Sequence, residues 1–411
     1  MTSACIIVGA SHAGAELALT LRKEGWEGSI VVIGDEQYLP YHRPPLSKNF
    51  LVTDQDVNDV LIRKADFFEK FNISFRLETR VLDIDRLNKA VTLSNGEILS
   101  YLKLALCTGS RVRKVTVPGC DLQGMYYLRN IDDVLAIKSA VKRNGRVIIV
   151  GGGYVGLEIA ASLKRLGMHV TVLEMEARVL KRVTAEEVSD FFARIHTEEG
   201  VEIMCNKSVT GFIGKDGFVD RVECQDGTYY SADLVVIGIG ILPNVELAEA
   251  AGLEVENGIL VDDLACTSDP HIVSAGDCTN HPNQLLDCRL RLESVPNALE
   301  QARTAASSLC GKHKPYASIP WFWSDQYNVK LQIVGLNKGY DEKIIRGDHT
   351  SGRDFVAFYL NKRKLISAEC VNRPKEFLLM KQVISKGLDI NIACLGDDTV
   401  AVKDLVIVQS S

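Results

Sequence analysis

Gly151-Gly152-Gly153-Tyr154-Val155-Gly156 follows an apolar run, Arg146-Val147-Ile148-Ile149-Val150, and opens a helical periodicity that runs from Val155 to Leu166 and closes at Gly167. Strand, glycine turn and helix in that order are the context of a dinucleotide-binding unit. Gly151 permits the tight turn, Gly153 lets the backbone approach a pyrophosphate, and Gly156 lets helix and strand pack closely. The helix N-terminus offers free N–H groups and the positive end of its dipole to the phosphates. A second apolar strand, His169-Val170-Thr171-Val172-Leu173, delivers Glu174 roughly 20 residues on, where a ribose-binding carboxylate belongs. The candidate dinucleotide contacts are therefore Gly151, Gly153, Tyr154, Val155, Gly156 and Glu174, with Gly240 at the end of a later strand.

An altered copy of this element starts the chain. Cys5-Ile6-Ile7-Val8 leads into Gly9-Ala10-Ser11-His12-Ala13-Gly14 and a helix to Glu24 that stops at Gly25. Serine, the next smallest side chain, stands at position 11 in place of the middle glycine. The strand that follows, Ser29-Ile30-Val31-Val32-Ile33, ends near Asp35, which is placed to accept from a ribose hydroxyl. Two hairpin signals, Asn95-Gly96 and Asp226-Gly227, lie 131 residues apart, and so do the strand-ending glycines Gly109 and Gly240. Two doubly wound units, each with a small antiparallel meander, are predicted in tandem, and they imply two nucleotides. A later strand, Ile272-Val273-Ser274, ends in Gly276-Asp277 and is predicted to return to the first sheet, followed by a helix from about Asn297 to Leu309. Beyond Trp321 the pattern turns to alternating strands and a helix near Glu376 to Lys386, a separate α+β domain. The expected fold is α/β, with a discontinuous first domain of residues 1–112 and 243–320, a second of residues 113–242, and a C-terminal domain of residues 321–411.

Bulk properties narrow the function. At 411 residues the chain needs two or three cores. A net charge of −6 gives no global basic field, so nucleic acid is not an expected partner. The eleven cysteines include no closely spaced pair, which argues against a metal site and a dithiol centre and suits a reducing cytoplasm. No apolar run reaches the ~18 residues of a membrane span, and no basic leader precedes the first strand. A bacterial cytoplasmic protein without membrane contact is expected.

Taken together, Gly9 to Gly14, Arg43-Pro44-Pro45-Leu46-Ser47-Lys48, Cys107-Thr108-Gly109, Gly151 to Glu158, Ala275-Gly276-Asp277, Glu293 to Ala302 and Trp321 to Gln326 resemble the FAD-dependent pyridine-nucleotide oxidoreductases. Within them the chain is similar to the ferredoxin reductases of bacterial cytochrome P450 and Rieske-type dioxygenase systems, over essentially its whole length. The resemblance implies FAD contacts from Ala13, Asp35, Lys48, Val81, Arg129, Asp277 and Val295, to which the first phosphate loop and its surroundings add Gly9, Ser11, Gly14, Arg43, Thr108 and Gly109. It also places Glu158 facing Lys48, near where nicotinamide meets flavin. In that pair lies the expected catalytic contribution, one of geometry and charge with no covalent residue.

The implied reaction passes a hydride from NADH to FAD and then single electrons to a [2Fe-2S] ferredoxin of plant, adrenodoxin-like or Rieske type, which feeds an oxygenase. Glu174 favours the free 2′-hydroxyl of NADH over the 2′-phosphate of NADPH, although Arg178, Lys181 and Arg182 lie close by. Arg303, Trp321 and Trp323 are the candidate contacts for the ferredoxin. A thiol-dependent reductase or peroxidase of this fold would need cysteines near the first helix or near Pro44 to Lys48, and the nearest are Cys5 and Cys107. The alternative is an NADH dehydrogenase or monodehydroascorbate-type reductase that uses a quinone or small-molecule acceptor.

Overall fold

The computed structural model describes residues 4–284 and 286–407, and its contacts fall into two units. Of the described residues, one unit holds 4–42, 56–111 and 241–320, and the other holds 43–55, 112–240 and 321–407.

The first unit is built on an all-parallel sheet in the order Ile272–Ser274, Lys103–Leu106, Cys5–Val8, Ile30–Ile33, Ile73–Arg76. Its central strand shows why the sequence reads as a continuous apolar run. Successive side chains leave opposite faces, and both faces are covered. Cys5 and Ile7 pack with Leu17 and Leu21 of the helix His12–Glu24 and with the alanines of the helix Val295–Leu309. Ile6 and Val8 pack with Ile84, Val91 and Leu93 of an antiparallel meander, and with Ala248 and Leu253. The strand Ile272–Ser274 lies at the edge of this sheet, parallel to Lys103–Leu106, as its late Gly-Asp ending predicts. The helix after it starts at Val295, earlier than the periodicity suggests. Ser294 accepts from Asn297 N–H at 3.3 Å and Pro296 occupies the first turn, a start signal that the apolar spacing alone does not show.

The second unit repeats the plan. Its parallel sheet runs Glu202–Met204, His169–Leu173, Arg146–Val150, Leu234–Ile237, Met125–Tyr127. One face is covered by the meander Val209–Lys215, Phe218–Cys224, Tyr229–Ser231, through Phe212, Val219 and Val222. Both predicted hairpin turns are present, Asn95-Gly96 in the first unit and Asp226-Gly227 in the second. The same unit contains a five-stranded antiparallel sheet in the order Trp321–Gln326, Val329–Gly335, Lys364–Val371, Phe355–Asn361, Glu342–Gly347, with the helix Pro374–Lys386 packed on it.

Glycine is required at the two turns. A Cβ on Gly14 would stand 2.0 Å from the Gly9 carbonyl oxygen, and one on Gly156 would stand 2.2 Å from that of Gly151. Gly9 and Gly151 themselves adopt φ of 117° and 108°, where an L side chain is strained.

The C-terminal sheet buries a carboxylate. Glu369 is wholly inaccessible and accepts from Tyr359 Oη at 2.8 Å and Asn337 Nδ2 at 3.1 Å. Burial pushes its pKa up to about 7. Between the ordinary carboxylate range and that value the folded chain holds a proton that the unfolded chain has released, so stability falls as pH rises through this window. The substitution Glu369→Gln removes that dependence. The unfolding free energy of the variant relative to wild type is expected to rise by about 2 kcal/mol between pH 5 and pH 8, measured by urea unfolding; a difference that stays flat would contradict the assignment.

Candidate active site

In the first unit the carboxyl ends of the parallel strands bring the predicted cofactor residues to one edge. Gly9 follows Val8, Asp35 follows Ile33, Thr108 and Gly109 follow Leu106, and Asp277 follows Ser274. This is where open parallel sheets bind nucleotides. The helix His12–Glu24 begins with buried Ala13 and Gly14, has no side-chain cap and has no acidic residue in its first turn, so no side chain of its own start competes with an anion for its N-terminal end. The loop on the neighbouring strand is held by Asn244, which accepts from Thr108 Oγ1 through its carbonyl at 2.7 Å and donates Nδ2 to the Thr108 carbonyl at 2.8 Å. Asp277 accepts from Ser110 Oγ at 2.9 Å. Beside it Gln301 accepts from Gly276 N–H and Thr279 Oγ1 through Oε1, while its Nε2 is buried with no partner. A buried amide donor without an acceptor is costly, and one beside the Gly276-Asp277 turn fits an acceptor-rich cofactor such as FAD. Sequence reasoning did not single out Gln301, although it lies within the Glu293 to Ala302 motif.

One predicted contact has a protein partner of its own. Asp35, largely exposed, pairs with Arg80 at 2.9 Å. Val81 is buried at the head of the meander strand Val81–Asp85, and Val295 is the first residue of its helix.

The second unit holds the other glycine loop. Gly153 caps the helix Tyr154–Arg165, which likewise has no side-chain cap and no acid in its first turn. Val155 is exposed, Gly240 turns with φ of 100°, and Tyr154 packs its ring 4.6 Å from that of Phe322. The Tyr154 hydroxyl is buried without a partner, and burial pushes its pKa up. Glu174 stands at the strand end as predicted, but its carboxylate is engaged. Oε2 accepts from Gly152 N–H at 2.6 Å and Oε1 accepts from Glu176 N–H at 2.8 Å. The acid braces the glycine loop, a role that motif spacing does not reveal.

Lys48 and Glu158 meet in this unit. Lys48 Nζ lies 2.6 Å from Glu158 Oε2, with the carboxylate only 5 % exposed. Pro44 and Pro45 set the 3-10 turn Pro44–Ser47 that presents Lys48, and Glu158 lies one turn inside the phosphate helix. Glu158 also accepts from Ser47 Oγ and from Ser324 Oγ, each at 2.6 Å. Neither serine was singled out in the sequence, although both lie in motifs that carry the resemblance. Arg43, just before the turn, donates Nη1 to the Arg129 carbonyl at 2.7 Å.

The candidate partner residues lie on separate elements. Arg303, half exposed, pairs with Glu16 at 2.6 Å. Trp321 and Trp323 share a strand and stack with centroids 5.6 Å apart, and Lys381 Nζ sits 4.6 Å from the Trp321 ring. Among the described residues no group of three or more His, Cys, Asp or Glu could hold a metal ion, and no helix is long and apolar enough to cross a membrane.

The chain matches the pyridine nucleotide-disulphide oxidoreductase family over residues 3–302 and the reductase C-terminal family over residues 321–406. Putidaredoxin reductase of Pseudomonas putida is 44% identical over 98% of this chain and 96% of its own. The ferredoxin–NAD(+) reductase component of the anthranilate 1,2-dioxygenase system of Burkholderia cepacia is 39% identical over 97% of this chain and 98% of its own. Among solved structures, the covalent putidaredoxin reductase–putidaredoxin complex matches with a TM-score of 0.95 at 43% identity and covers 98% of both chains.

Removing one partner of a buried ion pair leaves the other charge uncompensated. Lys48→Met is expected to destabilise the protein by about 2 kcal/mol, and adding Glu158→Gln is expected to recover most of that loss, read from urea unfolding of the single and double variants. Additive losses would mean that the pair does not act as a unit.

Proposed function

The chain belongs to the pyridine nucleotide-disulphide oxidoreductase family and is an oxidoreductase that uses FAD and a nicotinamide dinucleotide, and from this premise we propose that it is an NADH-dependent reductase of a [2Fe-2S] ferredoxin. The observation that carries the reading is full-length similarity to putidaredoxin reductase and to the ferredoxin reductase component of a dioxygenase system, on a chain whose two sheets are each followed by a glycine loop and a helix with no side-chain cap. The terminal acceptor is then a cytochrome P450 or a Rieske-type oxygenase, reached through the ferredoxin.

The first unit is the FAD domain in this reading. Gly9, Ser11, Ala13 and Gly14 receive the pyrophosphate, Asp35 receives the adenosine ribose, and Val81, Thr108, Gly109, Asp277 and Val295 line the rest, with Arg43, Lys48 and Arg129 as further contacts. Residues 113–242 form the dinucleotide domain and residues 321–411 a third domain. When bound, FAD would supply the acceptor for a hydride from the nicotinamide and the means of releasing electrons singly. Lys48 supplies the positive charge that favours the reduced, anionic ring, and Glu158 holds that ammonium in place. Cys5 and Cys107, the cysteines nearest the motifs that a thiol-dependent relative would use, are buried, and burial pushes both thiols well above their ordinary range, which disfavours thiol chemistry at either.

NADH is preferred to NADPH because the Glu174 carboxylate repels a 2′-phosphate. The ferredoxin docks through Arg303, Trp321 and Trp323, with local charge steering the encounter.

The test is stopped-flow bleaching of the flavin by NADH and NADPH, followed by cytochrome c reduction with and without candidate ferredoxins. Bleaching by NADH at least about tenfold faster than by NADPH at equal concentration is expected, with Glu174→Ala narrowing the ratio, and cytochrome c reduction should require a ferredoxin. Rapid turnover with a quinone while a panel of [2Fe-2S] ferredoxins adds nothing would replace this reading by a dehydrogenase.

A further inference from the structure

Glu158 is the end of a hydrogen-bonded chain that starts at Tyr327 and runs through the interior of the second unit. Tyr327 Oη lies 3.2 Å from His196 Nδ1, His196 Nε2 lies 2.8 Å from Gln326 Oε1, Gln326 Nε2 lies 3.2 Å from Ser324 Oγ, and Ser324 Oγ lies 2.6 Å from Glu158 Oε1. His196, Gln326, Ser324 and Glu158 are all buried.

The direction of the chain follows link by link from what each group can do. Glu158, paired with Lys48, only accepts, so Ser324 donates to it. With its proton committed, Ser324 Oγ accepts from the Gln326 amide nitrogen, which turns the amide oxygen toward His196. His196 Nε2 therefore carries the ring proton, and Nδ1 accepts from Tyr327. Burial lowers the His196 pKa to about 4, so the ring is neutral near pH 7 and the single tautomer fits. Every donor points toward the carboxylate, and aligned hydrogen bonds strengthen one another in a low-dielectric interior. On the other side Ser47 and Lys48 both donate to Oε2, and Ser162 Oγ donates to the Ser47 carbonyl at 2.7 Å, which holds the turn.

An ion pair alone does not fix Lys48. The terminal torsion of a glutamate is broad, and a lysine has several rotatable bonds. Donors on both carboxylate oxygens remove that freedom. We propose that Ser324 and Gln326 are positioning residues of the hydride-transfer site, which fix the plane of the Glu158 carboxylate and through it the Lys48 ammonium. The inference rests on the role given above to Lys48, and it makes the first strand of the C-terminal sheet part of the catalytic apparatus.

The experiment uses the FAD-loaded protein with Ser324→Ala, Ser324→Thr, Lys48→Met and the double variant of Ser324→Ala with Lys48→Met. Three quantities are read: the limiting rate of flavin bleaching at saturating NADH, the half-saturating NADH concentration, and the midpoint potential of the bound flavin in a dye titration without NADH. Ser324→Ala is expected to slow the limiting rate about tenfold with half-saturation changed less than about twofold, as for lost positioning, and to make the potential more negative. Ser324→Thr, which keeps the hydroxyl, is expected to restore both to near wild type. In the Lys48→Met background Ser324→Ala is expected to add nothing, because its effect passes through the lysine.

The inference is overturned if Lys48→Met is slow while Ser324→Ala has wild-type rate and potential, or if the alanine and threonine variants are equally impaired. It is also overturned if the two substitutions multiply independently. If Lys48→Met itself bleaches at the wild-type rate, the role of Lys48 fails and takes this inference with it. Should Ser324→Ala not accumulate as folded protein, Gln326→Met, two links from the carboxylate, is expected to slow the limiting rate about threefold in the same pattern, and a wild-type rate and potential there would overturn the inference.

Discussion

A carboxylate withdrawn from water must be compensated where it stands, and the interior around Glu158 is arranged to meet that demand. Desolvating a charge costs several kcal/mol, on the order of what a whole domain retains as net stability. Lys48 supplies the opposite charge, and hydroxyls from Ser47 and Ser324 supply the remaining donors. The donors come from two stretches of chain, a proline-set turn that carries Ser47 and Lys48 and the first strand of the antiparallel sheet, while the carboxylate belongs to the helix that begins at the second glycine loop. The requirement of one buried charge thus fixes three elements with respect to each other. Because Glu158 lies one turn inside the helix that follows the second glycine loop, the pair and that loop share one rigid support.

The two parallel sheets repeat one architecture but set their acids differently. In the first, Asp35 is exposed and lies against Arg80. In the second, Glu174 turns inward and takes two backbone N–H groups, one from the glycine loop itself. The tight turn at Gly151 and Gly156 leaves the Gly152 N–H without a partner in the regular ladder, and Glu174 is the acceptor within reach. The position of the acid is dictated by the fold; what its oxygens bond is dictated by the loop.

Much of the fold was legible because its signals are local. Apolar runs ending in glycine, hairpin dipeptides and the late Gly276-Asp277 each report on a few neighbouring residues, and the sheets formed as those runs required. The start of the helix at Val295 was missed because its signal is a serine cap and a proline rather than a period. The candidate site was less legible. Spacing located the glycine loops and the two strand-end acids, but nothing in the sequence shows that Ser324 reaches Glu158, 166 residues away, or that Ser47 does so across 111. Those bonds depend on the twist and register of a sheet that has no fingerprint. The nearness of Lys48 to Glu158 was expected only from family resemblance, and His196 carried no signal at all, since a histidine on an apolar helix face reads as packing.

The strand Trp321–Gln326 has two faces with different obligations. Trp321 and Trp323 stack on one side, while Ser324 and Gln326 belong to the interior chain. Family boundaries divide the polypeptide just before this strand, at residue 321, which makes the last ninety or so residues look like an exchangeable module. They are exchangeable only in part. A chimera that borrows this segment from a relative inherits that relative's side chains at positions 321 and 323 together with whatever it places at positions 324 and 326. The side chains at 324 and 326 stay under the constraint of a charge they did not bring.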